Sequence, residues 1–314
     1  MNAPARQAQL AAIAGPCAGG DGEALRPLVG ALQQRFAGNL VALLYYGSCW
    51  RSGDPYNGLN DFYVIVDSLG VAHRNPASAL GNRLLPPNVY YLECAGEAGT
   101  LRAKYAVLSL GQLERGARHW FNPCVWGRFA QPAGIVYARS GELQLRLRAD
   151  LGQCVVTLLE RALPALPADC EAASAFAGAL ALSYRSELRV ESKAQGEKLI
   201  AGLEEEYQRR ALAAAPLLPL SVRIRGTRLL SHVSLRQRLQ ARLAWPLRSL
   251  QGKLLSILRL AKACFTFAGA IDYAAWKLER HTGVDVERSD RLRRHPLIFA
   301  WPLLWRLYRR GLLR

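Results

Sequence analysis

Between Val41 and Asp67 the sequence reads VALLYYGSCWRSGDPYNGLNDFYVIVD, and it sets out the residue types that phosphate chemistry needs. Gly47 and Ser48 close an apolar run, and Asp61 opens a second one after a polar loop. Glycine carries no side chain and tolerates positive φ, so a Gly-Ser bend lets backbone amides come close to an anion. A carboxylate beside such a bend is a seat for a hard divalent cation, which takes oxygen ligands and keeps its phosphate partners. The bland alternative is a tight turn between two buried strands with Asp61 capping the second.

The surrounding elements decide whether these groups meet. Val41–Tyr46 reads as one strand and Asp61–Val66 as another. A period of two then puts Asp61, Tyr63 and Ile65 on one face and Phe62, Val64 and Val66 on the other. An amphipathic helix over 23–38 precedes the first strand, with Gly38 just past its last turn. A helix over 77–85 is stopped by Pro86-Pro87, and strands follow at 88–94 and 101–109. Glu93, the one acidic residue of the first of these, is either a further metal carboxylate or a solvated residue of an edge strand. Lys104, amid Tyr105, Val107 and Leu108, either reaches out to solvent or offers a point charge to a phosphate. Arg128 reads as a phosphate contact or a surface ion-pair residue, and His119 as a packed histidine. A 3.6-residue period returns over 142–163, Pro164 and Pro167 mark a joint, and a small-residue apolar helix covers 171–184. From 196 to 245 the chain reads as helical and increasingly basic, broken at Pro216 and Pro219.

Composition narrows the class. The 314 residues are 51% hydrophobic, ample for a large core. Seven cysteines, odd in number and without a C-x-x-C pair, argue against a disulfide framework and against a zinc site, and fit a reducing compartment. The first twenty residues lack a basic segment followed by a long apolar one, so no signal peptide is expected. The formal net charge is +17, and residues 222–314 hold 20 Lys/Arg against 5 Asp/Glu, so nearly all of the excess lies in the last third. Such a rear end meets a polyanion. Its arginines fall on several helix faces without regular aromatic interleaving, which argues against single-stranded nucleic acid. PLIFAWPLLW (296–305) is too short to cross a bilayer core. With arginines on both sides and Trp301, Trp305 and Tyr308 at headgroup depth, it suits an anionic membrane surface instead, as does a basic amphipathic helix over 253–281.

Gly47-Ser48, a polar loop and Asp61 on a hydrophobic strand resemble the nucleotidyltransferase fold of the polymerase-β type. That fold usually carries a second carboxylate two residues on, where this chain has Tyr63. The departure is similar to one branch, the mitochondrial-type phosphatidate cytidylyltransferase of the translocator assembly and maintenance family, whose strand keeps only the first Asp. The same family's landmarks resemble Lys104-Tyr105, then Gly127-Arg128 with Pro132, then Ser183-Tyr184 with Glu187, Arg189 and Lys198, and finally Lys262 with Phe265-Thr266 and Gly269. Glu187 stands where the family has Asp, and one extra residue precedes Gly269. The resemblance spans about residues 40–270 and implies CMP transfer from CTP to phosphatidate, giving CDP-diacylglycerol and pyrophosphate, with Mg²⁺ as cofactor. It implies catalytic roles for Asp61, Lys104 and Arg128, nucleotide contacts at Gly47, Ser48, Lys104, Tyr184, Arg189 and Lys198, and a metal ligand at Asp61, to which Glu93, on the reading of the strand itself, would add the carboxylate that Tyr63 cannot supply. The expected architecture is α+β: a flexible lead (1–22), a nucleotidyltransferase domain with a mixed sheet and flanking helices (23–163), a helical second domain (164–250), and basic amphipathic C-terminal helices (251–314) on the cytoplasmic face of a membrane.

Overall fold

The computed structural model describes residues 2–15, 22–187 and 195–266. Helices α1 (Ala3–Ala14) and α2 (Arg26–Arg35) lead into β1 (Leu40–Tyr46), a short α3 (Ser48–Ser52) and β2 (Asn60–Val66). Then come α4 (Leu69–Ala72), α5 (Pro76–Leu84), β3 (Asn88–Gly96), β4 (Gly99–Ser109), α6 (Leu110–Arg118), α7 (Trp126–Phe129) and β5 (Gly134–Ala138). The remainder comprises α8 (Gly141–Ala162), β6 (Asp169–Glu171), α9 (Ala172–Tyr184), α10 (Gln195–Ile200), α11 (Glu204–Ala214), β7 (Ser221–Arg225), β8 (Arg228–His232) and α12 (Leu235–Thr266).

The main sheet has the order β3-β4-β2-β1-β5. It is mixed, because β2 and β4 run parallel while the other neighbours are antiparallel. The alternation in β2 divides its side chains as the period of two requires. Phe62, Val64 and Val66 pack with Leu28, Leu32 and Phe36 of the α2 region. Tyr63 and Ile65 pack on the opposite side with Trp126, Phe129 and the apolar face of α8. The chain is thus an α+β protein with a mixed sheet and flanking helices.

Four features differ from the sequence reading. The lead is a helix docked on the body, with Leu10 and Ile13 buried. Arg148, Arg209 and Arg210 donate to the carbonyls of Gly15, Ile13 and Ala14 and so satisfy the helix's terminal acceptors. Residues 221–232, read as helical, form a hairpin about the left-handed Gly226 (φ +59°) that pairs with β6. The last described helix begins at Leu235 rather than near 253. The expected joint at Pro164 and Pro167 is crossed by one apolar core, which holds Leu147 and Leu159 together with Phe176, Tyr207 and Trp245.

Candidate active site

Strand register builds the first part of the site. Tyr46 pairs with Asp61 across β1 and β2, Asp61 with Lys104 across β2 and β4, and Lys104 with Tyr91 across β4 and β3. Side chains directly opposite one another share a face, so these four form a row over one end of the sheet. Gly47 follows at once with φ +95°, a conformation that disfavours any side chain. A Cβ there would lie 2.6 Å from Oδ2 of Asp61, so the bend and the carboxylate are in contact. Ser48 is exposed at the start of α3. The loop back to β2 is tied by Asn60, whose Nδ2 donates to the carbonyls of Pro55 and Arg102 and whose Oδ1 accepts from the Tyr45 hydroxyl. That network holds Asp61 at the mouth of its strand.

Arg128 supplies the second part, from α7. Its guanidinium lies over the Tyr46 ring at 5.5 Å and donates to Glu187 Oε1 at 3.0 Å. Burial works against the charge, but Glu187 and the phenols of Tyr46, Tyr63 and Tyr184 outweigh it and hold the Arg128 pKa well above its ordinary value. Burial and then the Asp61 carboxylate push the Tyr46 phenol far up, so its hydroxyl stays protonated. Tyr63 is also buried, its ring 4.8 Å from Phe129 and 5.5 Å from Tyr46, and burial pushes its phenol up to about 12. The place where a second carboxylate would stand is thus filled by an aromatic wall. Tyr184 bonds to the amide of Gln131 through its hydroxyl.

The long helix α12 passes over this region. Gly252 abuts the carbonyl of Ser186, next to Glu187, because a Cβ there would come within 2.1 Å of that oxygen. Arg259 donates to the Pro86 carbonyl at 2.8 Å and to the Cys124 Sγ at 3.3 Å. Lys262 donates to the carbonyls of Leu85, Pro87 and Gly81, and burial with Arg259 nearby lowers its pKa to about 8.

The structure therefore gathers Gly47, Asp61 and Lys104, and brings Arg128, Glu187 and Tyr184 up to them through Tyr46. It does not bring Glu93 there. That residue is exposed, accepts from Tyr91 and Arg102, and lies on β3 with β4 between it and Asp61, about 10 Å away by strand spacing alone. Lys198 is exposed on α10, which packs along α9, and Arg189 and Gly269 lie outside the described residues. Among the described residues no three His, Cys, Asp or Glu side chains gather as a metal site. Asp61 is the carboxylate of this row that a hard divalent cation could use. Tyr46 and Gln131 join these residues, through the Arg128 guanidinium and the Tyr184 hydroxyl, and nothing local in the sequence marks them.

No protein-family model matches the chain, and no curated protein matches it. Among solved structures it is similar to a nucleotidyltransferase-like protein from Exiguobacterium sibiricum 255-15, at 14% identity over 94% of this chain and 93% of that one, with a TM-score of 0.29. No described helix is long and apolar enough to cross a membrane.

Proposed function

We propose that the chain is a nucleotidyltransferase that moves CMP from CTP to phosphatidate, yielding CDP-diacylglycerol and pyrophosphate. The observation that carries the transferase reading is the contact between Asp61 and the Gly47 bend, with Lys104 in register beside the carboxylate. Asp61 would hold Mg²⁺, which when bound lends charge neutralisation to a triphosphate. The backbone amides of the bend would be the donors to phosphate oxygens. Lys104 and Arg128 place fixed positive charge where negative charge gathers on the leaving pyrophosphate. Glu187 accepts from one Nη of the Arg128 guanidinium and fixes its direction. Tyr184 and Lys198, with Arg189, are the candidate base and phosphate contacts.

The choice of lipid acceptor rests on chemistry and on the resemblance of the landmarks. A phosphate monoester is already anionic, so the site needs positive charge more than a strong general base, and the aromatic at position 63 is compatible with that. The basic last third of the chain suits an acceptor held at an anionic surface.

The test is a purified assay with labelled CTP, Mg²⁺ and phosphatidate. Asp61→Asn is expected to lower CDP-diacylglycerol formation by about two orders of magnitude or more while the melting temperature stays close to wild type. Undiminished turnover would overturn the role of Asp61. Equal turnover with a water-soluble acceptor and no lipid would overturn the lipid assignment alone. A silent scaffold that binds nucleic acid is the competing reading, favoured by the buried Tyr63, and CTP binding without any product would support it.

A further inference from the structure

Helix α12 shows an unusual outer face. Leu235, Leu239, Leu243, Leu247, Leu250, Leu254, Ile257 and Leu258 are all exposed, with Leu243 at 69% and Leu250 at 68%. Their spacing of mostly three and four residues places them on one side of the helix. The opposite side carries the contacts to the body. Ala241 and Trp245 are buried, Gly252 abuts Ser186, and Arg259 bonds to Pro86 and Cys124. A stripe this long on a helix of a water-exposed protein marks a binding face rather than scattered surface leucines.

The charges around the stripe identify what covers it. The helix sequence, LRQRLQARLAWPLRSLQGKLLSILRLAKACFT, contains no Asp or Glu. Arg236, Arg238, Arg242 and Lys253 are exposed on the same helix as the leucines. The apolar and cationic surface continues off the helix. A cleft of about 510 Å³ is shared by Leu84, Phe121 and Leu255 with Arg83, Arg115 and Arg259. A second copy of the same helix would set cations against cations with no carboxylates to pair with them, unlike the complementary flanks of coiled coils. An interface of anionic headgroups above acyl chains matches both parts of the face. With its arginines and lysines the helix does not cross, and it is suited to lie in the plane of the surface.

We propose that the outer leucine face of α12 is the surface by which this protein lies on anionic lipid, with the stripe in the acyl boundary and the flanking arginines on headgroup phosphates. This deepens the lipid-acceptor reading by naming the docking face, but it stands on the helix and not on the catalytic groups. The side of α12 that faces the protein runs past Ser186 and Cys124, beside Glu187 and the Tyr63 wall, so docking this face would bring the bilayer to the outside of the candidate site's cover.

The experiment is flotation of the full chain with vesicles of phosphatidylglycerol and phosphatidylcholine, against vesicles of phosphatidylcholine alone. Wild type is expected to float with the anionic vesicles, in a manner that weakens as salt rises, and to remain behind with the neutral ones. A Leu243→Ser, Leu250→Ser, Leu254→Ser variant is expected to lose at least about tenfold in vesicle partition, since three leucines no longer enter the acyl boundary. The positions are exposed, so its melting temperature and its turnover of a short-chain, micelle-free phosphatidate are expected to be unchanged. An Arg242→Glu, Lys253→Glu variant is expected to lose anionic binding in the same direction. Wild-type flotation equal in the serine variant would overturn the proposal. So would concentration-dependent dimers that the serine variant abolishes with no vesicle binding by wild type, because the face would then be covered by a second copy. Vesicle binding with no CTP-dependent product in any lipid would refute the catalytic reading and leave the docking face standing.

Discussion

Gly47 concentrates the demands of the site in one backbone position. Its φ of +95° lies where a side chain strains the chain, and the space a Cβ would take is already held by the Asp61 carboxylate at 2.6 Å. Gly47→Ala therefore does two separable things. It costs about 1–2 kcal/mol of stability through the left-handed backbone, and it drives Asp61 out of its contact with the bend. A displacement on the order of 1 Å of a group that positions a reactant is worth about a hundredfold in rate. The expected outcome is a protein that melts a few degrees lower, yet loses far more turnover than its folded fraction explains. Turnover that falls only in step with the folded fraction would show that the bend serves the fold alone. Tyr46 makes the same point from the other side. Its phenol stays protonated beside Asp61 and its ring underlies Arg128, so one residue links the carboxylate to the guanidinium.

At the scale of elements, α12 holds the site together from outside, and Gly252 is its point of closest approach. A side chain there would drive against the Ser186 carbonyl, one residue before the Glu187 that fixes Arg128. On either side of Gly252 the helix is anchored independently, by Trp245 Nε1 donating to the Arg161 carbonyl and by Lys262 donating to the carbonyls of Leu85 and Pro87. Gly252→Leu is therefore expected to shift the middle of the helix without detaching it. CTP turnover should fall at least about tenfold, through a misdirected Arg128, with the global melting transition preserved. Wild-type turnover in that variant would show that α12 and the site are uncoupled. How legible these elements were follows from where their signals lie. Strands β1 to β4 and helices α2, α5, α8 and α9 announce themselves through apolar runs or 3.6-residue periods bounded by Gly and Pro, and Gly47 and Asp61 lie within one such stretch. The hairpin of β7 and β8 is weakly marked: Val222 and Ile224 do alternate with Arg223 and Arg225 ahead of Gly226-Thr227, but the strands have five residues each and β7 is largely exposed, so little buried apolar surface sets them apart from the basic run around them. The pairing of Arg128 with Glu187 across 59 residues, and the passage of α12 over both, are tertiary facts that no local window contains.

At the scale of the whole molecule, the decisive feature is that the apolar core ignores the prolines at 164 and 167. Helix α8 belongs to both sides of that joint. Its buried face packs under the main sheet with Trp126 and Phe129, and also against Phe176, Leu180 and Tyr207 of the following helices. Trp126 and Trp245 meet edge to face at 6.1 Å, and Arg248 donates to the Phe121 carbonyl at 3.2 Å while lying over both Phe121 and Trp245. Removing everything after residue 163 would strip the covering from a helix most of whose surface is buried. A chain with two autonomous domains would melt in two steps, since each would keep its own core. This one is expected to melt in a single cooperative step. Fluorescence of a variant that keeps only Trp126 and Trp245 of the seven tryptophans, and so reports the seam between them, should coincide with far-ultraviolet dichroism, which reports all helices and strands. The calorimetric and van't Hoff enthalpies should agree. Saturating CTP with Mg²⁺ should then move the one transition as a whole, by an amount that grows with ligand concentration over its dissociation constant. An early transition seen by dichroism and not by tryptophan, or a ligand that shifts only one of two peaks, would mean that the residues beyond Leu163 fold on their own, and that the site at Asp61 does not depend on the helices that cover it.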